Sequence, residues 1–181
     1  MTAYIALLRG INVGGHKRIA MADLRAWGIA LGLAEVQTVL QSGNLIFSTA
    51  QSDPQALERK LEKAFNREMG LGTAFLVRTA AEWRAIIENN PFPKQAADDP
   101  SHLAVLLLKE SPSQEAWTAL EAAIKGREEV QGGNRHAYIY YPDGIGNSRL
   151  TNVLIEGKLQ AKATARNWNT MLKLDKLLVT G

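Results

Sequence analysis

The sequence predicts an α+β protein of two similar halves, 1–90 and 91–181, with extra helices. Three observations carry that reading. Short apolar runs bounded by turn residues alternate with stretches of helical spacing. The order β-α-β-β-α recurs in both halves, closed by a further strand in the first and by a helix in the second. The tetrapeptides Gln41-Ser42-Gly43-Asn44 and Gln131-Gly132-Gly133-Asn134 fall at equivalent hairpins.

The elements of the first half follow in order. Ala3–Leu8 is apolar and ends at Arg9-Gly10, as a buried strand does. Met21, Leu24, Trp27, Gly28 and Leu31 recur at helical spacing. Val36–Leu40 and Leu45–Phe47 flank Gln41–Asn44, a hairpin signal because Gly and Asn tolerate positive φ. A helix is expected from Asp53-Pro54 to Gly70, with Leu57, Leu61, Ala64, Phe65 and Met69 on its inner face. Ala74–Val77 completes the ferredoxin-like (α-β plait) order, and Thr79–Asn89 reads as a connecting helix.

Pro91–Pro100 reads as the boundary between the halves. Beyond it come the apolar strand Leu103–Leu108 and a helix with Pro112 near its first position and Trp117, Leu120 and Ile124 inward. A hairpin is expected from Glu128–Gln131 and Ala137–Tyr141. Ser148 is expected to cap a short helix ending at Gly157, and a terminal helix carries Trp168, Met171, Leu174 and Leu178. The first strand of each half is apolar at every position. A plait has helices on one face only, so the second face should be covered too, and we expect that cover from within the chain.

Composition narrows the function classes. The chain has 181 residues, 46% hydrophobic and 22% charged, with a net charge of +3. A chain of this size needs no disulfide or metal staple. The absence of cysteine excludes thiol nucleophiles and thiolate metal sites. His16, His102 and His136 show no paired ligand spacing, so neither a metal nor a cofactor is implied. No apolar run reaches membrane-spanning length and the N-terminus lacks a basic leader, so a cytoplasmic protein with no membrane partner is the expectation.

Arg9–Arg18 joins the first strand to the first helix and is the most informative segment. Gly10 and Gly15 have phosphate-loop separation, but His16 precedes Lys17 and Arg18 replaces the magnesium-binding hydroxyl, so this is not a Walker loop. It still suits an anion, with Arg9, Lys17 and Arg18 but no acid between Arg9 and Ala20, and a helix N-terminus just beyond. In the plait the first two strands run parallel with the third antiparallel between them. The end of strand one and the first hairpin then share one sheet edge, bringing Arg9, Asn12 and Lys17 near Gln41, Ser42 and Asn44. A second concentration of polar groups, Thr164–Thr170, reads as a helix start, with Thr164 or Asn167 as cap. Tyr141–Arg149 reads as a turn followed by a cap.

The runs Leu7-Leu8-Arg9-Gly10-Ile11-Asn12-Val13-Gly14-Gly15, Gln41–Asn44, Tyr141-Pro142-Asp143-Gly144-Ile145-Gly146 and Thr164–Thr170 resemble the bacterial family called domain of unknown function 1697. The resemblance covers nearly the whole chain. It implies two ferredoxin-like units and assigns no activity and no catalytic residue.

The leading expectation is an anion-binding protein, its ligand a nucleotide, another phosphorylated metabolite or a nucleic-acid backbone. Arg9 and Lys17 would meet phosphate, Asn12, Ser42 and Asn44 would orient it, and Gly10, Gly14 and Gly15 would admit it to the backbone. Arg166, Asn167 and Asn169 would join if the last helix folds back. The alternatives are an enzyme using His16 for proton transfer, or a structural, self-associating protein; oligomeric state is not legible. An RNA-recognition sheet with Tyr4 and Phe47 as platforms lacks its basic-glycine-aromatic signature, and Phe47 reads as core.

Overall fold

The computed structural model describes residues 1–179. Its elements are β1 (Thr2–Leu8), α1 (Met21–Ala30), β2 (Ala34–Val39), β3 (Asn44–Thr49), α2 (Pro54–Met69), β4 (Phe75–Thr79) and α3 (Ala80–Glu88). These are followed by α4 (Pro93–Asp98), β5 (Leu103–Leu108), α5 (Gln114–Ala123), β6 (Glu129–Gly132), β7 (His136–Tyr140), α6 (Asn152–Leu159), β8 (Ala163–Asn167) and α7 (Trp168–Val179). The strands form two four-stranded antiparallel sheets, ordered β2-β3-β1-β4 and β6-β7-β5-β8. The chain divides into two compact units, Met1–Glu88 with the C-terminal residues from Lys173, and Asn89–Leu172, so α7 is shared between them.

The two sheets repeat one register. Leu8 faces Phe75 and Ile5 faces Arg78 in the first; Leu108 faces Ala163 and Val105 faces Arg166 in the second. One core packs Tyr4, Ala6 and Leu8 of β1 with Leu24 and Trp27 of α1 and Leu57, Leu61 and Phe65 of α2. The other packs Ala104, Leu106 and Leu108 with Leu120 of α5 and Ile155 and Leu159 of α6. Tyr4–Leu8 and all of β5 are buried in the single chain, so both faces of the first strands are covered intramolecularly. In the first unit α3 lies against β1 and β4.

Helix ends follow side-chain chemistry. Asp53 accepts from the Gln55 amide ahead of Pro54, and Gly70 closes α2 at φ 65°. Thr79 and Glu82 form a reciprocal capping box on α3. The outward amides of edge strand β4 are also occupied. Phe75 donates to Glu62 at 3.0 Å and Val77 to Glu58 at 2.9 Å, both carboxylates coming from α2. In the second unit Ala163 of edge strand β8 donates to Glu156 of α6 at 2.8 Å. Filling edge amides in this way blocks strand addition.

Several elements differ from expectation. The second unit does have its last strand: Ala163–Asn167 pairs with β5, although its small and polar residues lack a strand pattern. Asn167 nevertheless caps α7, accepting from the Thr170 amide at 3.0 Å. Thr151, not Ser148, caps α6, and the helix runs past Gly157 because Leu159 is buried in the core. Ser148 instead ends a 3₁₀ turn at Ile145–Asn147. Pro112 precedes the Ser113 cap of α5 and lies outside the helix. Within 91–100 the chain forms α4, with no residue of it buried.

Candidate functional site

Twelve positions, 9–20, connect β1 to α1, whereas five, 109–113, make the equivalent β5–α5 connection. Such strand-to-helix loops usually take two to six residues, so the second unit shows what closure requires and the first exceeds it. The excess forms a small hairpin. Asn12 N–H donates to Lys17 O at 3.2 Å and His16 N–H to Val13 O at 3.2 Å. At its tip Gly14 and Gly15 have φ 61° and 79°. Two successive left-handed residues make a tight hairpin turn, which glycine adopts without penalty.

The hairpin is pinned at its base on three sides. Ile11 and Ile19 are buried beneath it. The Asn12 side chain accepts from Ile19 N–H at 2.9 Å and donates to Ile19 O at 3.0 Å and to Gln41 O at 2.8 Å. The hydroxyl of Thr73 donates to Arg9 O at 2.5 Å, and the Lys17 ammonium to Gly72 O at 2.5 Å. Gln41 belongs to the β2–β3 turn, where Leu8 N–H donates to Gly43 O at 2.9 Å. A Cβ on Gly43 would lie 3.1 Å from that of Leu8 and 3.4 Å from that of Ile11, so this turn needs glycine for proximity as well as for its φ of 79°.

The structure brings Arg9, Asn12, Lys17, Ser42 and Asn44 to one edge of the first sheet. Their employment there is uneven. Asn44 is fully buried and its amide donates to Val39 O at 2.7 Å and Ser42 Oγ at 3.0 Å. Asn12, Ser42 and Asn44 therefore shape the loop and its neighbouring turn. Lys17 and Arg18 are exposed and Arg9 is half-buried. The guanidinium of Arg18 lies beside Gly15, 3.7 Å from where a Cβ would stand. Gly10 is at φ 70°. The first turn of α1 has no side-chain cap and carries Asp23, so the loop's cations, more than the helix end, set the local charge.

Arg166, Asn167 and Asn169 lie in the second unit. Arg166 occupies the β8 position that Arg78 occupies on β4, and each donates to the carbonyl just before it, Ala165 O at 2.9 Å and Val77 O at 2.8 Å. Burial pulls the Arg166 guanidinium down to about 10, still charged at neutral pH. Asn167 is the α7 cap already described, and Asn169 is exposed.

His16 is exposed, and its ring makes no hydrogen bond among the described residues. Tyr4 and Phe47 stack at 5.7 Å inside the first core. His102 has a carboxylate partner: its Nδ1 lies 2.9 Å from Asp99 Oδ2, to which the Tyr140 hydroxyl also donates at 3.0 Å. That bond raises the Tyr140 pKa. A cavity of about 210 Å³ adjoins this cluster, lined by Lys94, Gln95, Asp98, Asp99 and Tyr140. The three-residue separation of Asp99 and His102 was the available sequence signal. Sequence reading also missed Gly72 and Thr73. Both precede β4, whose start faces the end of β1, so the strand order was the signal for them.

The family model described as Protein of unknown function (DUF1697) matches residues 1–138. Among solved structures, the conserved bacterial protein SP0830 from Streptococcus pneumoniae is similar at 26% sequence identity. The likeness has a TM-score of 0.78 over 98% of this chain and 98% of that one. No curated protein matches the sequence.

Proposed function

Because the chain belongs to the DUF1697 family, whose description carries no activity, we propose a function from its own geometry: it binds a phosphate-bearing anion at the 9–20 loop. The observation that carries this reading is the contrast between the two β-α connections. One unit closes the turn in five residues; the other adds an exposed, hydrogen-bonded hairpin bearing cations. Surface loops held on a rigid scaffold commonly serve binding.

In this reading Lys17 and Arg18, with Arg9 behind them, meet the phosphate. Asn12, Ser42 and Asn44 hold the loop and its neighbouring turn in place. Gly10, Gly14 and Gly15 provide the backbone shape. None of the described helices is long and apolar enough to cross a membrane. The cytoplasm is the proposed location, consistent with the absence of cysteine.

Label-free calorimetric titration with pyrophosphate, nucleotides and short oligonucleotides tests the proposal. Saturable binding to at least one of them, weakened at least tenfold in the Arg9→Ala/Arg18→Ala variant, is expected. Binding unchanged in that folded variant, or no binding across the series, would remove the site.

A further inference from the structure

We infer that the ligand of this loop is double-stranded DNA, gripped when the Asn12–Lys17 hairpin enters the major groove; the inference rests on the phosphate-binding reading above. Three properties of the hairpin lead there. It is convex: Val13 is 65% exposed, and a Cβ added at Gly14 would meet no atom within 4 Å. Small phosphorylated metabolites are held in concave pockets, so a projecting, cation-bearing element calls for a concave, anionic partner.

Charge is concentrated at this place. The loop holds three basic residues and no acid, while the remaining 18 basic residues balance the chain's 18 acidic ones. A polyanion meets an attractive patch at this loop, and attraction of that kind is the sequence-independent part of nucleic-acid binding.

Shape then chooses among nucleic acids. The major groove of B-form DNA is about 12 Å wide and accepts a two-stranded β-ribbon, while its minor groove is about 6 Å wide. The major groove of A-form RNA is deep and narrow. Single strands are held on aromatic platforms, and residues 9–20 include no Phe, Tyr or Trp. Gly14 and Gly15 present only backbone at the tip; the exposed Arg18 guanidinium follows behind it to face a phosphate wall, and Lys17, which spends one ammonium N–H on Gly72 O, adds its charge at the hairpin base. With glycines at the tip and charges behind, binding tolerates many sequences.

Fluorescence anisotropy of a labelled duplex of about two helical turns (~20 bp) tests this. One of its strands, polyglutamate and pyrophosphate serve as competitors. Three neutralised phosphates predict that affinity falls about 40-fold between roughly 50 and 200 mM salt, and about 3- to 4-fold once Lys17→Gln/Arg18→Gln removes two of them. Arg18→Gln alone, at an exposed position, should give an intermediate slope and keeps the test open if the double variant misfolds. A single strand or polyglutamate competing as well as unlabelled duplex overturns the duplex assignment. Pyrophosphate or nucleotide binding without duplex binding overturns it too, but leaves the phosphate reading standing. If nothing binds, both fall.

Discussion

Replacing Glu58 separates the two tasks that its carboxylate performs. The side chain is 2% exposed, accepts from Val77 N–H at 2.9 Å, and lies 3.7 Å from the guanidinium of Arg78, itself 3% exposed. Glu58→Ala strands a buried edge amide and removes the carboxylate that pairs with the buried Arg78 guanidinium. Removing one partner of a buried ion pair costs about 3–5 kcal/mol. The amide bond shares the same carboxylate, so its contribution is not added. For a chain of this length that loss corresponds to a fall of ~6–20 °C in Tm, at about 2–4 °C per kcal/mol. Glu58→Gln keeps an oxygen for Val77 and gives up only the charge, so its expected cost is about 1–3 kcal/mol. Urea denaturation followed by tryptophan fluorescence reads both, as a shift in midpoint at constant slope. An Ala variant within ~0.5 kcal/mol of the parent would refute the assignment, because surface substitutions already span that range.

Other expectations concern the loop, a cap and the tyrosines. Asn44→Ala removes the donor to Val39 O and should cost about 1–3 kcal/mol by chemical denaturation, as a buried acceptor left unpaired does. Gly43→Ala forces a left-handed non-glycine residue against Leu8 and should cost at least ~1–2 kcal/mol; thermal unfolding measures it. Ser113→Ala deletes the α5 cap bonded to Ala116 N–H and should cost about 0.5–2 kcal/mol, visible as a lower denaturation midpoint. Burial pushes Tyr138 and Tyr141 up to about 12, against about 10 when unfolded. The folded state holds these protons more tightly, so their contribution is intact below pH ~10 and is lost as pH rises through 12. Spectrophotometric titration should show both tyrosinates forming only together with alkaline unfolding.

Much of the fold was legible because local chemistry and tertiary packing agreed. Asp53-Pro54 and Gly70 bracket α2 by side-chain capping and a left-handed residue, signals written in single residues. Leu103–Leu108, six apolar residues in a row, suggested a strand covered on both faces, and all six are buried. The failures fall where packing overrode local preference. Ala163–Asn167 is a strand because β5 offers it a ladder, and α6 passes Gly157 because Leu159 has a core to enter. At the candidate site the shared sheet edge followed from strand order alone. Which polar residues brace the loop did not, since the sequence does not show that Asn12 and Lys17 spend donors on neighbouring carbonyls while Arg18 stands exposed. Only the geometry shows Asn12 spending its amide on Ile19 and Gln41.

The unequal β-α connections also bear on how freely this fold can be elaborated. Closure entropy grows only logarithmically with loop length, at about 0.6 kcal/mol per doubling. Going from five residues to twelve is little more than one doubling, so the projecting connection costs the chain under ~1 kcal/mol before any of its own hydrogen bonds are counted. The three Asn12 side-chain bonds, two within the loop at Ile19 and one to Gln41 of the β2–β3 turn, offset that loss of stability. A repeated fold therefore carries a vacant position for the same addition: residues 109–112 of the second unit, ahead of the Ser113 cap, could be exchanged for a copy of 9–19 at a similarly small closure penalty.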